Sequence, residues 1–123
     1  METIIPQQVN RPAFEASQEL NLVQASKAGD TGAFNRLVLK WERKIYNLSL
    51  RMLSNRDDAA DSTQEIFLLA FRNIHKFKQN AQFSTRLYRI AVNHCITTLQ
   101  RRPGMVYSKD DEIEGKDLNR FLS

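Results

Sequence analysis

The sequence predicts an all-α protein, a compact bundle of three long helices and one short one with a loose N-terminal arm and an acidic C-terminal tail. Three observations predict it. Apolar residues in the middle of the chain return at steps of three and four, the period that lines one face of an α-helix. Glycine and proline, 4 and 3 in number, are scarce inside that middle. The apolar–polar alternation of β-branched residues that marks strands is absent. A length of 123 residues, with 41% apolar and 26% charged, allows one globular domain with ragged ends.

Residues 1–17 hold two prolines and no apolar period, and read as a flexible arm. A short helix is expected over 19–28, with Leu20, Val23 and Lys27 on shared or adjacent faces. Gly29 ends it, because glycine takes a left-handed backbone without penalty, and Asp30 caps the next helix. In that second helix Phe34, Leu37, Val38, Trp41, Ile45, Leu48 and Met52 form a continuous apolar line. Ser54-Asn55 breaks it. A third helix begins near Asp57, with carboxylates in its first turn where the helix dipole favours them, and its expected buried stripe is Ala60, Phe67, Phe71 and Ile74. Residues 75–82 lose the period and read as a loop. A fourth helix over 84–101 stops at Pro103-Gly104. The expected divisions are an arm over 1–17, a helical domain over 18–102 and an acidic tail over 103–123.

The net charge of +4 is modest, but its distribution is uneven. From residue 66 to 109 there is no Asp or Glu, while the same stretch carries Arg72, Lys76, Lys78, Arg86, Arg89, Arg101, Arg102 and Lys109. Acidic patches flank it: Asp57, Asp58, Asp61 and Glu65 before, Asp110, Asp111, Glu112, Glu114 and Asp117 after. One face should seek a polyanion and another a basic protein. On the fourth helix Arg86, Arg89, Asn93, Thr97 and Gln100 fall on one side, with Leu87, Ile90, Ala91 and Leu99 on others. Such a stripe suits phosphates through arginine and base edges through the Asn amide, which both donates and accepts. An ordinary amphipathic surface helix would show the same spacing. In the preceding loop, Phe77 and Phe83 flank Lys78, Gln79, Asn80, Ala81 and Gln82. Aromatics beside cations and amides can stack on an unpaired base, or pack in the core and pin the loop ends.

Catalysis finds no support. The sequence has no Gly-rich phosphate loop, nucleophile motif or paired catalytic carboxylates. His94 and Cys95 are adjacent, with only His75 elsewhere, which is not metal-ligand spacing. No cofactor and no metal are expected. A lone cysteine excludes an internal disulfide and fits a reducing cytosol. No apolar run of membrane-spanning length and no secretory signal are visible, so a cytoplasmic location is expected.

The residues resemble region 2 of the extracytoplasmic-function sigma factors, within the sigma-70 family, over about residues 20–102. Three motifs carry the resemblance in order: AGD-x-x-AF from Ala28, D-x-x-QE-x-F from Asp61, and FST-x-LYRIA-x-N from Phe83. The resemblance implies a transcription initiation factor that binds core RNA polymerase and recognises and melts the promoter −10 element. It implies that Asp61, Gln64 and Glu65, with the neighbouring Asp58, dock on the basic clamp coiled coil of the largest polymerase subunit. It implies that the loop holding Phe77, Lys78, Gln79 and Asn80 catches a base flipped from the non-template strand. The final helix would supply the remaining −10 contacts through Asn93 and, one turn on, Thr97, with Arg86, Arg89 and Arg101 in the same DNA-binding set. No ATP is required if capture of the open state alone shifts the equilibrium.

Two departures stand out. The family usually carries Trp within FST-W-LYRIA, and this chain has Arg86, which either adds a phosphate contact or leaves a gap in the bundle. The family also continues into a second helical domain that reads the −35 element, whereas this sequence stops at Ser123; a separated piece with partial promoter recognition is expected. A different reading is a helical protein-interaction module that binds an anti-sigma protein or another acidic partner, with DNA incidental. No self-complementary apolar seam is visible beyond the bundle core, so a monomer is expected.

Overall fold

The computed structural model describes residues 11–78 and 82–103, with side chains from residue 17 on. Among these residues four helices form: α1 (Arg11–Lys27), α2 (Thr31–Leu53), α3 (Arg56–Arg72) and α4 (Phe83–Gln100), with a single 3-10 turn (Ile74–Lys76) between the last two. No strand occurs among the described residues. The all-α expectation therefore holds, as do the second, third and fourth helices to within a residue or so at their starts. Of the expected tail over 103–123, residues 104–123 with all its acidic residues lie outside the described residues, as do the first ten residues of the arm.

The first helix differs from expectation. It is 17 residues long, as long as α3, and takes in residues 11–17 of the expected arm. Pro12 is the reason the start was hidden. In the first turn of a helix a proline forfeits no hydrogen bond, because its missing N–H would have had no partner there, so it opens a helix rather than breaking one. The buried face also conceals itself. Glu19, Val23 and Ser26 are buried while Leu20 is 38% exposed, so two of the three inward residues are polar. Both are satisfied: the Trp41 indole N–H donates to the Glu19 carboxylate at 2.6 Å, Lys40 pairs with it at 3.2 Å, and the Ser26 hydroxyl donates to the Leu22 carbonyl at 2.8 Å.

The caps are local and specific. Gly29 has φ +103°, which only glycine takes readily, and α1 closes through Gly29 N–H to Ser26 O and Asp30 N–H to Ala25 O. Asp30 then accepts from the Ala33 N–H at 3.1 Å, starting α2. At the far end Ser54 turns the chain in a left-handed conformation, and the Asn55 side chain accepts from Asp58 N–H at 2.9 Å to start α3. The two-residue connection makes α2 and α3 antiparallel, so Phe34 near the start of α2 meets Phe71 near the end of α3.

The core is built from the apolar line of α2 against α3 and α4: Leu37, Ile45, Leu48, Ile66, Leu87 and Val92 are fully buried. On α3 the buried line is Ala59, Ser62, Ile66, Phe67 and Ala70. The expected Ala60 is exposed and Phe71 is 41% exposed. The buried Ser62 interrupts the apolar period, and a stripe read from the aromatics alone is turned by about one residue, or 100°. Cys95 is buried, its thiol donating to the Ser49 hydroxyl at 3.7 Å, and burial pushes its pKa up, so it behaves as a packing residue. At the foot of the bundle Arg102 donates to both the Leu53 carbonyl and the Asp58 carboxylate at 2.9 Å, tying the end of α4 to the α2–α3 connection.

Candidate nucleic-acid interface and acidic docking face

α4 divides its residues as the spacing demands. Leu87, Ala91, Cys95 and Leu99 are buried; Arg89 and Arg101 are exposed; Arg86, Asn93, Thr97 and Gln100 are half-buried. The polar stripe thus runs along the outside of the bundle. The Asn93 amide oxygen is buried and has no hydrogen-bond partner among the described residues. A buried acceptor without a partner is uncommon enough to need an explanation, and here it leaves the oxygen of the amide at the middle of the stripe without an internal bond among the described residues.

The loop stem is where structure and expectation part. Phe77 is 3% exposed, and its ring stacks on Phe83 at 5.0 Å with 30° between planes. It is therefore a core residue that pins the loop, not an open platform for a base. The physical reason is proximity: the two phenylalanines bracket a five-residue loop, so their rings reach each other as readily as solvent. Phe83, the first residue of α4, is likewise buried. Arg86 lies with its guanidinium 5.5 Å from the Phe77 ring centre. At the position where the resemblance sets a Trp, the guanidinium thus lies on the Phe77 ring in cation–π contact. Arg86 also joins the α4 stripe to the loop. Lys78 and Gln82 are exposed at the two loop ends; Gln79 and Asn80 lie outside the described residues.

The acidic side forms on α3. Asp61, Gln64 and Glu65 are exposed together one turn apart. Asp58 stands apart, its carboxylate engaged by Arg102 within the chain. Next to Gln64 an apolar groove of about 540 Å³ opens between α2 and α3, lined by Phe34, Val38, Phe67, Leu68 and Phe71 among others. Sequence reasoning missed this groove, because it counted Phe71 as core and ignored Leu68, which is 46% exposed. The signal was present: Leu68 follows Asp61, Gln64 and Glu65 on the same helical face. Across the helix pair, burial pulls the His94 pKa below its ordinary 6.5, with Glu65 opposing and Arg101 adding to the shift. The polar stripe and the acidic face are therefore on adjoining helices. No group of three metal-ligating side chains occurs among the described residues.

A family model described as Sigma-70 region 2 matches residues 37–103, more than half of the chain. The chain belongs to the sigma-70 region 2 family. That is a family of transcription initiation factors rather than of enzymes. Its sigma-factor relatives are similar over most of the chain. The RNA polymerase sigma-H factor of Pseudomonas aeruginosa is 36% identical over 85% of this chain and 53% of its own length. The ECF RNA polymerase sigma factor SigW of Bacillus subtilis is 40% identical over 77% of this chain and 50% of its own. The ECF RNA polymerase sigma-E factor of Haemophilus influenzae is 42% identical over 82% and 54%. This sigma region 2 chain spans about half the length of the curated relatives it matches.

Proposed function

We propose that this sigma region 2 chain binds core RNA polymerase through α3 and recognises the promoter −10 element through α4 and the loop before it, holding the strands apart by capturing a flipped non-template base. The observation that carries the reading is the placement of the α4 stripe. Arg89 is exposed and Asn93 and Thr97 are half-buried on the polar side of α4, free of acidic neighbours in sequence, and Arg86 joins them to the loop. On this reading Arg89, Arg101 and Lys78 hold phosphates, Asn93 and Thr97 meet base edges, and Gln79 and Asn80 meet the flipped base. Phe77 supports the loop from beneath. Arg86 has one ring face to cover and its N–H edges for a phosphate.

Asp61, Gln64 and Glu65 dock on the basic clamp coiled coil of the largest polymerase subunit, and Leu68 and Phe71 at the groove give that contact an apolar centre with a charged rim. Flipping a base costs a few kcal/mol, which stacking and hydrogen bonds must offset. The work is done in the cytoplasm; among the described residues no helix is long and apolar enough to cross a membrane. The free chain is a monomer, which a stable dimer in sedimentation at micromolar concentration would contradict. The groove favours one further reading, a module that docks an anti-sigma protein, and the two can share a surface. Co-purification with core RNA polymerase tests the main reading: stoichiometric capture supports it, and capture equal to that of an unrelated basic protein would remove it.

A further inference from the structure

We propose that the outer face of α2 carries single-stranded nucleic acid beyond the α4 stripe, holding its phosphates through Arg36, Arg43 and Lys44. Counted at about 100° per residue, Arg36, Lys40, Arg43, Lys44 and Arg51 fall within about 100° of one another round the helix, and all of them are exposed. The lone acid between Arg36 and Arg51, Glu42, falls outside that arc, on the side that lines the groove toward α3. Lys40 is answered by Glu19 at 3.2 Å. Arg36 and Arg43 have no ion pair or hydrogen bond among the described residues, and Lys44 lies 5.6 Å from the centre of the Trp41 ring. A helix face that presents several cations and pairs few of them internally attracts a polyanion.

Two features point to a strand rather than to an acidic protein. Arg36, Lys40 and Lys44 follow one another at steps of four residues, roughly 6 Å of helix axis each, close to the step between phosphates of an extended single strand. The face also continues the α4 stripe. Trp41, between Lys40 and Lys44, meets Tyr88 of α4 edge-on at 6.2 Å. Burial raises the Tyr88 pKa, and Arg51 is near enough to oppose that rise. Tyr88 precedes Arg89, an exposed cation of the α4 stripe. A strand that leaves Arg89 at this contact meets the cations of α2 next, with Glu42 outside its path. Cations set along a backbone track bind without regard to sequence, so α2 adds affinity and direction to the strand but no base preference.

The path rests on the reading of α4 as a strand binder, and the test separates the two. The full chain is compared with Arg36→Gln/Arg43→Gln and with Arg56→Gln/Arg72→Gln, which removes the same charge from exposed positions of α3. Fluorescence anisotropy is read across a salt series on labelled oligothymidylates of about 6 and about 20 nucleotides, near the lower end and beyond the upper end of single-strand site sizes, and on a duplex of the longer length. Arg36→Gln/Arg43→Gln should weaken binding of the long strand several-fold and lower its salt slope by about 1.4, two contacts at about 0.7 each. The short strand, held by α4, should be almost unchanged, and the α3 pair should leave both strands near the wild type. An unchanged slope on the long strand would leave the face to an acidic protein and overturn the proposal. Equal losses on both lengths, or equal losses from the α3 pair, would mean net charge rather than a path and overturn it too. A loss confined to the duplex would do the same. These strands carry no −10 sequence, so a failure of base reading by α4 leaves the outcome on α2 unaffected. If Arg89→Ala leaves the short strand unchanged, the α4 reading falls, and the slope on the long strand alone decides on α2.

Discussion

The guanidinium of Arg86 lies 5.5 Å from the centre of the Phe77 ring, on an aromatic pair completed by Phe83 at 5.0 Å. One residue of α4 thereby covers the stem of the loop and starts the polar stripe of its own helix. Cation–π contacts of this partly exposed kind contribute about 0.5–1 kcal/mol. Arg86→Ala should lower stability by about that amount in a thermal melt, and loosen the loop. Arg86→Trp should keep most of the stability, because a large apolar ring can cover Phe77 in place of the guanidinium. A melt in which both variants match the wild type would show that the contact stabilises nothing.

The acidic residues of α3 divide into two groups: Asp61 and Glu65 are exposed, while Asp58 pairs with Arg102. Replacing Asp61 and Glu65 by Lys should abolish binding to core RNA polymerase while the fold survives, since exposed substitutions commonly change stability by less than about 0.5 kcal/mol. Asp58→Ala should behave differently, weakening core binding little but destabilising the chain by up to about 1 kcal/mol through the lost pair with Arg102, a partly exposed bridge. Pull-down with core polymerase and thermal melting distinguish the two. Normal core affinity in the double charge reversal would take α3 out of the interface.

His94 makes the fold sensitive to acid. Burial is the main cause that lowers its pKa in the folded chain below the ordinary 6.5. Above that value both states hold the imidazole neutral, and stability is unaffected. As pH falls below 6.5 the unfolded chain takes up a proton that the folded chain resists, so stability is lost until the depressed folded pKa is passed. Melting temperature should therefore fall from about pH 7 to pH 5 in the wild type, and His94→Gln should flatten part of that slope. An unchanged slope in the variant would assign the acid sensitivity to other groups.

How much of this was legible in the sequence depended on whether the packing face was apolar. α2 was legible throughout, since Phe34, Leu37, Ile45 and Leu48 repeat on one face and carry the period past the buried Ser49. Its cap was too, because Asp30 needs only the local N–H of Ala33. α1 was not, because its inward residues Glu19 and Ser26 are polar and find their partners in Trp41, Lys40 and a backbone carbonyl. Those partners are distant or local contacts that no hydrophobic period reports. The site followed the same rule. The stripe of Arg89, Asn93 and Thr97 could be read from spacing alone. The roles of Phe77 and Arg86 could not, since each depends on the other across nine positions and on Phe83 between them.

On the proposed function α4 reads bases rather than merely attracting phosphate. Fluorescence anisotropy on labelled −10 non-template and scrambled strands, across a salt series with core polymerase present, tests it most directly through Asn93→Ala and Arg89→Ala. A good side-chain contact to a base edge discriminates by about 1–3 kcal/mol. Asn93→Ala should therefore weaken binding to the −10 strand by roughly tenfold and blunt its preference over scrambled sequence. Arg89→Ala should weaken both strands alike and lower the salt slope by about one contact. An Asn93→Ala chain that keeps its full sequence preference, or one that loses affinity for both strands equally as Arg89→Ala does, would contradict the account and leave α4 as a surface of charge alone.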